Sequence, residues 1–226
     1  MFLSNGRTNL KSYNPTAPDD VLPTLADISA YLYNDHDTDS LVKAELVHYQ
    51  FEMIHPFEQY NGIVGRMLVP MVLYNTIGEA WPLISLSEYL YKNKNEYFDL
   101  LKSTQYSGGY IRWIKFFVCA IGETAKQTAK LLAQYEKDIL RVEQWIKENT
   151  PSAKSIWSVY NYLKRYPISS ISRAAEQTRL SFNSISKAMK ILKNAGIVQE
   201  SAESRNRIWE YSEIVRLLIN QPSSEE

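Results

Sequence analysis

One stretch of this sequence decides how the chain is interpreted, and it runs Ile54-His55-Pro56-Phe57-Glu58-Gln59-Tyr60-Asn61-Gly62-Ile63-Val64-Gly65-Arg66. A helix end carrying His55 leads into a loop stopped by proline, and Asn61-Gly62 then starts an apolar helix. Such a loop presents free backbone N–H groups and the positive end of a helix dipole, which together bind anions. The pattern therefore predicts an anion site beside a histidine.

Two side chains of this stretch predict chemistry as well as binding. Arg66, in the first turn of the apolar helix, would grip a phosphate oxygen. His55, at the rim, would remove a proton from a hydroxyl near neutral pH. Together they indicate transfer from a phosphate-bearing ligand to an alcohol. The alternative is that the histidine and the glycines only shape the helix boundaries.

The stretch resembles the signature of the Fic family, His-Pro-Phe-x-Asp/Glu-Gly-Asn-Gly-Arg-x-x-Arg, and the similarity extends to about residue 135. The resemblance implies transfer of AMP from ATP, with magnesium, to a hydroxyl side chain of a target protein. It makes His55 the catalytic base and Phe57 a buried anchor. It also implies that Asn61, Gly62 and Arg66 bind the nucleotide phosphates. We add Gly65, at the start of the apolar helix, as a further candidate nucleotide-binding residue.

Three positions depart from the family pattern: Gln59 replaces the acidic metal ligand, Tyr60 a small residue and Ile63 the first arginine. An amide oxygen has no formal charge to offset magnesium, so we predict no metal ligand at Gln59. Losing a charged hydrogen bond to the phosphates costs on the order of 3 kcal/mol of transition-state stabilisation. Tyr60 is expected either to move the loop away from a positive φ or to occupy the space that the phosphates of the nucleotide need. AMP transfer should be weak or lost.

The composition is that of a folded globular protein, since 45% of the 226 residues are hydrophobic and 22% are charged. Lys+Arg and Asp+Glu both number 25, so the whole chain has no net positive charge that would attract it to nucleic acid or to an anionic membrane. The single cysteine, Cys119, excludes an internal disulfide and is expected to be a core thiol in a reducing compartment. No apolar run approaches the roughly 18 residues of a membrane span. We expect a cytoplasmic bacterial protein without a membrane partner.

The charges are divided unevenly along the chain. Residues 1–150 hold 14 basic and 18 acidic side chains, net −4, whereas residues 151–226 hold 11 and 7, net +4. We predict a loop or hairpin remnant at 1–18, a Fic-like helical domain at 19–150 and a basic module at 151–226. Residues 1–18 resemble the tail of the region that precedes the signature in the family, so the chain is expected to be N-terminally short.

The predicted fold is mainly α: a Fic-type helical domain followed by a small α+β winged-helix domain. Helical spacing starts near Asp19 and near Asp39, and the almost wholly apolar helix over 63–73 is expected at the centre of the core. Two further helices are predicted over 111–119 and 123–148. His48 precedes His55 by one heptad, but no spacing with Cys119 resembles a zinc site, so we interpret it as a packing residue.

The basic module has the element order of a winged helix-turn-helix. Helices are predicted over 156–165, 170–177 and 182–195, and two short strands over 197–200 and 207–211. The candidate DNA contacts are Ser181, Asn183, Ser184, Lys187, Lys190, Arg205 and Arg207. Basic residues would neutralise phosphates, and Asn183 and Ser184 would reach base edges.

Two functions stay open at this stage. The first is a Fic-type adenylyltransferase of reduced activity that uses ATP, with magnesium implied by the resemblance, on a protein hydroxyl. The second is a non-catalytic DNA-binding transcriptional regulator, which we expect to form a homodimer because one small basic module seldom binds tightly. A third, an intact nucleotide-binding fold that works purely as a protein-interaction module, is compatible with both.

Overall fold

The computed structural model describes residues 15–201 and 208–219, and the predicted class, mainly α with a small α+β part, is confirmed. The helices are α1 Val21–Asn34, α2 Ser40–Ile54, α3 Asn61–Val72, α4 Tyr74–Ile77, α5 Ser87–Lys92, α6 Lys94–Ser107, α7 Tyr110–Asn149, α8 Lys154–Arg165, α9 Ile171–Thr178, α10 Phe182–Asn194 and α11 Ser212–Ile219. The strands are β1 Ile168–Ser170, β2 Val198–Glu200 and β3 Ile208–Tyr211. No helix in these ranges is both long enough and apolar enough to cross a membrane.

The chain divides into two compact units, Met1–Thr128 and Ala129–Glu226, called unit 1 and unit 2 below. The division falls inside α7, ahead of the boundary predicted at residue 150. The reason is that the second half of α7 packs with the basic module, where Val142 and Ile146 are fully buried in its core. The two helices predicted over 111–119 and 123–148 are thus one continuous helix.

Unit 1 is built around α2, which packs against α1, α3 and α7. Asp39 caps α2, since its Oδ1 accepts a hydrogen bond from the Leu41 N–H at 2.8 Å, as the sequence predicts. Buried aromatic rings from α6 and α7 surround His48, with the ring centroid of Phe117 at 4.9 Å. His48 is therefore a packing residue of the core, as predicted.

Two predictions about burial in unit 1 are wrong. Cys119 is exposed, because it lies on the outer face of α7 while its neighbours Phe117 and Ala120 face the core. Helix α3 is not wholly buried either. Its outer face exposes Ile63, Met67 and Met71, which lie at intervals of four residues, so only one side of this apolar helix faces the core.

Unit 2 contains a three-stranded antiparallel sheet in the order β1-β3-β2, covered by α8, α9 and α10. Strand β3 lies in the middle, with Ile168 and Gln199 both paired to Glu210. The predicted hairpin strands are present, and β1 is a third strand that the sequence analysis did not include. The Ser181 hydroxyl caps α10 by accepting from the Ser184 N–H at 3.2 Å.

Candidate active site

The loop between α2 and α3 is closed by the side chain of Asn61. Its Oδ1 accepts from the Phe57 N–H at 2.9 Å, and its Nδ2 donates to the Phe57 carbonyl at 2.6 Å. Asn61 is buried, and both polar atoms of its amide bond the Phe57 backbone. Asn61, predicted to bind nucleotide, thus shapes the loop with its side chain.

Two non-glycine residues of this loop adopt a left-handed backbone conformation. His55, the C-cap of α2, has φ of 51°, and Tyr60, the N-cap of α3, has φ of 68°. The expectation that Tyr60 would move the loop away from a positive φ is wrong, because Tyr60 itself has a positive φ. The Cβ atom of Tyr60 makes this conformation sterically unfavourable. The Tyr60 side chain is 70% exposed.

His55 has the properties of a base at neutral pH. It is half-buried at the end of α2, and burial lowers its pKa, while a hydrogen bond with the Glu52 backbone acts in the opposite direction. A histidine with a lowered pKa is neutral near pH 7 and can accept a proton. The structure therefore places a proton acceptor directly before the loop.

Arg66 lies over the first turn of α3. A Cβ atom on Gly62 would be 3.0 Å from the Arg66 Nη1, so the guanidinium passes directly beside this glycine. The Arg66 Nε donates to the Ser87 hydroxyl at 3.0 Å. The N–H groups of Asn61 and Gly62 belong to the first turn, which a helix leaves without internal partners. A cation and free N–H groups thus meet at one helix N-terminus, which is an anion site.

Ser87 is a residue that sequence reasoning missed. It lies at the start of α5, outside the signature, and contacts Arg66 only because α5 packs near α3. Nothing in its local sequence signals this role.

Gly65 faces inward rather than toward the anion site. A Cβ atom there would be 2.4 Å from the Glu52 Oε1 and 3.1 Å from the His48 Nδ1. Gly65 lies in the second turn of α3, where the backbone N–H belongs to the helix's own hydrogen bonds. The glycine predicted to bind nucleotide therefore makes room for buried polar groups behind the site.

These buried groups have strongly shifted pKa values. Burial raises the pKa of Glu52 to about 7, against the lowering effect of the Arg66 charge. The pKa of His48 is lowered to about 4, mainly by burial and to a smaller extent by the Arg66 charge, while a hydrogen bond with the Gly65 backbone acts in the opposite direction. Glu52 is thus a carboxyl group that titrates near neutral pH next to the anion site.

The residue at the position of the family's acidic metal ligand does not fit magnesium. Gln59 is exposed and offers only a neutral amide, whereas Mg²⁺ prefers carboxylates. Within residues 15–201 and 208–219, no three His, Cys, Asp or Glu side chains are grouped so as to hold a metal ion. Ile63, in place of an arginine, exposes 49% of its surface. Phe57 is not the predicted buried anchor, since it is 51% exposed.

The DNA-contact candidates lie at the start and along the outer face of α10. Ser181, Asn183, Lys187 and Lys190 are exposed, and Ser184 is half-buried. The Ser181 and Ser184 hydroxyls lie 2.9 Å apart, so the cap uses part of their hydrogen-bonding capacity. Arg205 and Arg207 lie outside the described residues. The exposed Arg173 and Arg179, at or beside α9, are basic residues that the sequence analysis did not include.

The described residues thus combine a histidine of lowered pKa with a helix N-terminus over which an arginine lies. Residues 3–73 match the model of the Fic/DOC family, a match that covers less than half of the chain. This similarity agrees with the resemblance seen in the signature.

One curated relative is Protein adenylyltransferase fic-1 of Caenorhabditis briggsae, which is 36% identical over 64 residues. That match covers 27% of this chain and 12% of the relative, so the chain spans only a small part of that protein. A solved Fic family protein from Desulfovibrio desulfuricans is 16% identical and has a TM-score of 0.49. Its match covers 87% of this chain and 56% of that one.

Proposed function

We propose that unit 1 binds ATP by its phosphates at the N-terminus of α3 and transfers AMP slowly to a hydroxyl of a target protein. The observation that carries the proposal is that His55 caps α2 directly before the loop, while the Arg66 Nη1 lies 3.0 Å from the Cβ position of Gly62 in the first turn of α3. Binding an anion and accepting a proton are the two tasks that such a transfer requires.

The residues divide these tasks between them. Arg66, held by Ser87, and the N–H groups of the first turn of α3 bind phosphate oxygens. His55 takes the proton of the acceptor hydroxyl while the hydroxyl oxygen attacks the α-phosphorus and pyrophosphate leaves. Asn61 keeps the loop between them closed.

The low rate follows from Gln59 and Ile63. No carboxylate stands at Gln59 to hold magnesium, and Ile63 offers no hydrogen bond to the phosphates. Losing one such contact usually costs about 10²-fold in rate. The residual activity should therefore be far below that of a site with both groups.

Transfer of label from ATP carrying the radioactive phosphate at the α position tests the proposal, with a cell lysate as acceptor. His55→Ala should abolish the labelled product, and His36→Ala, in the turn before α2, serves as the matched control. The double variant Gln59→Asp with Ile63→Arg should increase the labelling at least about 100-fold. Labelling that survives in His55→Ala would overturn the assignment of the base.

For unit 2 we propose a winged helix-turn-helix that binds DNA through α10 as a homodimer, which is the second candidate function. The support for this proposal is that Asn183, Lys187 and Lys190 follow one another along the exposed face of α10, while the opposite face of this helix is buried. Both proposed activities use ligands of the cytoplasm, which is where we place the protein.

Fluorescence anisotropy with genomic fragments tests the second candidate. Replacing Lys187 and Lys190 together by Gln should weaken binding about tenfold and lower its salt dependence, because two phosphate contacts are lost. Lys102→Gln, an exposed lysine of unit 1, is the control. Binding that is insensitive to salt and to the double variant would contradict a DNA interface on α10.

A further inference from the structure

Helix α10 exposes an aromatic ring at its first residue. Phe182 is 58% exposed, and it is the only phenylalanine in the sequence of unit 2. Leu180, two residues earlier, behaves differently, because its side chain packs against the core of unit 2. Since burial is what stabilises an apolar side chain, packing within unit 2 does not account for Phe182.

The next residue, Asn183, presents an amide group that the protein does not use. The hydroxyls of Ser181 and Ser184, on either side of it, lie 2.9 Å apart and cap the helix. Asn183 is exposed, and no hydrogen bond joins its side chain to another residue that the structure describes. Its amide therefore offers a ligand both an N–H donor and a carbonyl acceptor.

The helix face that holds Asn183 has the charge that suits a polyanion. Lys187 and Lys190 lie four and seven residues further along, so the three side chains share one exposed face. Helix α10 contains no acidic residue, and its opposite face, with Ile185 and Met189, is buried. DNA has the complementary charge, and its major groove is wide enough to admit an α-helix.

The side chains of Phe182 and Asn183 match the major-groove edges of A·T base pairs. Thymine presents a methyl group there, which an aromatic ring contacts, and adenine presents N7 and N6, which an asparagine amide binds with two hydrogen bonds. Consecutive Cα atoms are about 3.8 Å apart, close to the roughly 3.4 Å between successive bases of one strand. Two consecutive side chains can therefore contact adjacent base pairs.

We infer that Phe182 and Asn183 determine the DNA sequence that unit 2 prefers, namely two adjacent A·T pairs. Phe182 contacts the thymine methyl group of one pair, and Asn183 binds the adenine of the other. This inference rests on the proposed binding of DNA by α10. A G·C pair has no methyl group and does not place an N–H donor beside N7, so it would leave the ring without its contact and the amide with an unpaired group.

Selection of bound DNA from short duplexes with a randomised centre tests this inference on the full chain. The unchanged protein should select adjacent A·T pairs. Phe182→Ala should lose the preference for A·T at one of the two positions, and Asn183→Ala should lose it at the other by about tenfold. Both residues are exposed, so the two variants keep the core of unit 2 intact.

Replacing the thymine of the selected duplex by uracil removes the methyl group and nothing else. In fluorescence anisotropy, the unchanged protein should bind the uracil duplex about fourfold more weakly, which is the effect of exposing one buried methyl group. Phe182→Ala should bind the thymine and uracil duplexes equally, because it lacks the ring that contacts the methyl group.

Ile191→Ala and Asn194→Ala are the matched controls, because both residues are exposed on the same helix, about 14 and 17 Å beyond Phe182 and Asn183 respectively. They should keep the full preference. Selected sequences without adjacent A·T pairs, equal binding of the two duplexes by the unchanged protein, or the same losses in the controls would overturn the inference alone. Absence of binding to any duplex would overturn the proposed DNA binding and the inference with it.

Discussion

Replacing Tyr60 by glycine should stabilise unit 1. Tyr60 has φ of 68° at the N-terminus of α3, where a residue with a Cβ atom costs roughly 1–2 kcal/mol. Glycine removes this cost but adds roughly 0.5–1 kcal/mol of unfolded-state entropy. Little packing is lost, because Tyr60 is 70% exposed. The net gain in the free energy of unfolding should be about 0.5–1 kcal/mol.

Tyr60→Ala separates the backbone effect from the loss of the ring, because alanine keeps the Cβ atom. Differential scanning calorimetry should show the transition of unit 1 rising by about 2–4 °C in Tyr60→Gly and not rising in Tyr60→Ala. Two compact units need not unfold together, so the transitions are compared separately. An equal rise in both variants, or a lower transition in Tyr60→Gly, would refute the reasoning from φ.

Four further variants of unit 1 are tested by chemical denaturation. Gly65→Ala should lower the free energy of unfolding by about 2 kcal/mol, because its methyl group would collide with Glu52, whereas Gly122→Ala inside α7, with no neighbour within 4 Å, should raise it by about 0.5–1 kcal/mol. Asn61→Ala should cost about 1–3 kcal/mol, since two hydrogen bonds to Phe57 are lost; an unchanged unfolding midpoint would contradict the loop closure. Burial raises the pKa of Glu45 to about 8, so the unchanged protein loses stability as pH rises from about 4.5 to 8. Glu45→Gln should therefore be more stable than the unchanged protein by several kcal/mol, on the order of 3–5, at about pH 9 and about equal near pH 4.5; equal stability throughout would count against it.

Local signals carried most of what the sequence predicted. The Asp39 and Ser181 caps act within three residues of the chain, so the residue types alone indicate where α2 and α10 begin. The sequence predicted a histidine at a helix end and an arginine in the helix that follows, and these are the positions of His55, the C-cap of α2, and of Arg66 in α3.

Contacts between distant segments were beyond such reasoning. Arg66 meets Ser87 across 21 positions of the chain, and nothing near Ser87 indicates it. The close contact between Glu52 and Gly65 depends on the distance between α2 and α3, which sequence periodicity does not predict. Gly65 illustrates the difference: we predicted that it binds nucleotide, but only the packing shows that it faces a buried carboxyl group.

The most direct test of the central claim is a calorimetric titration of ATP into the unchanged protein and Arg66→Ala, with and without magnesium. The account predicts saturable binding by the unchanged protein, at least about tenfold weaker binding by Arg66→Ala, and little effect of magnesium because Gln59 supplies no carboxylate. No binding at millimolar ATP, or equal affinity in the two proteins, would contradict a phosphate site at the N-terminus of α3.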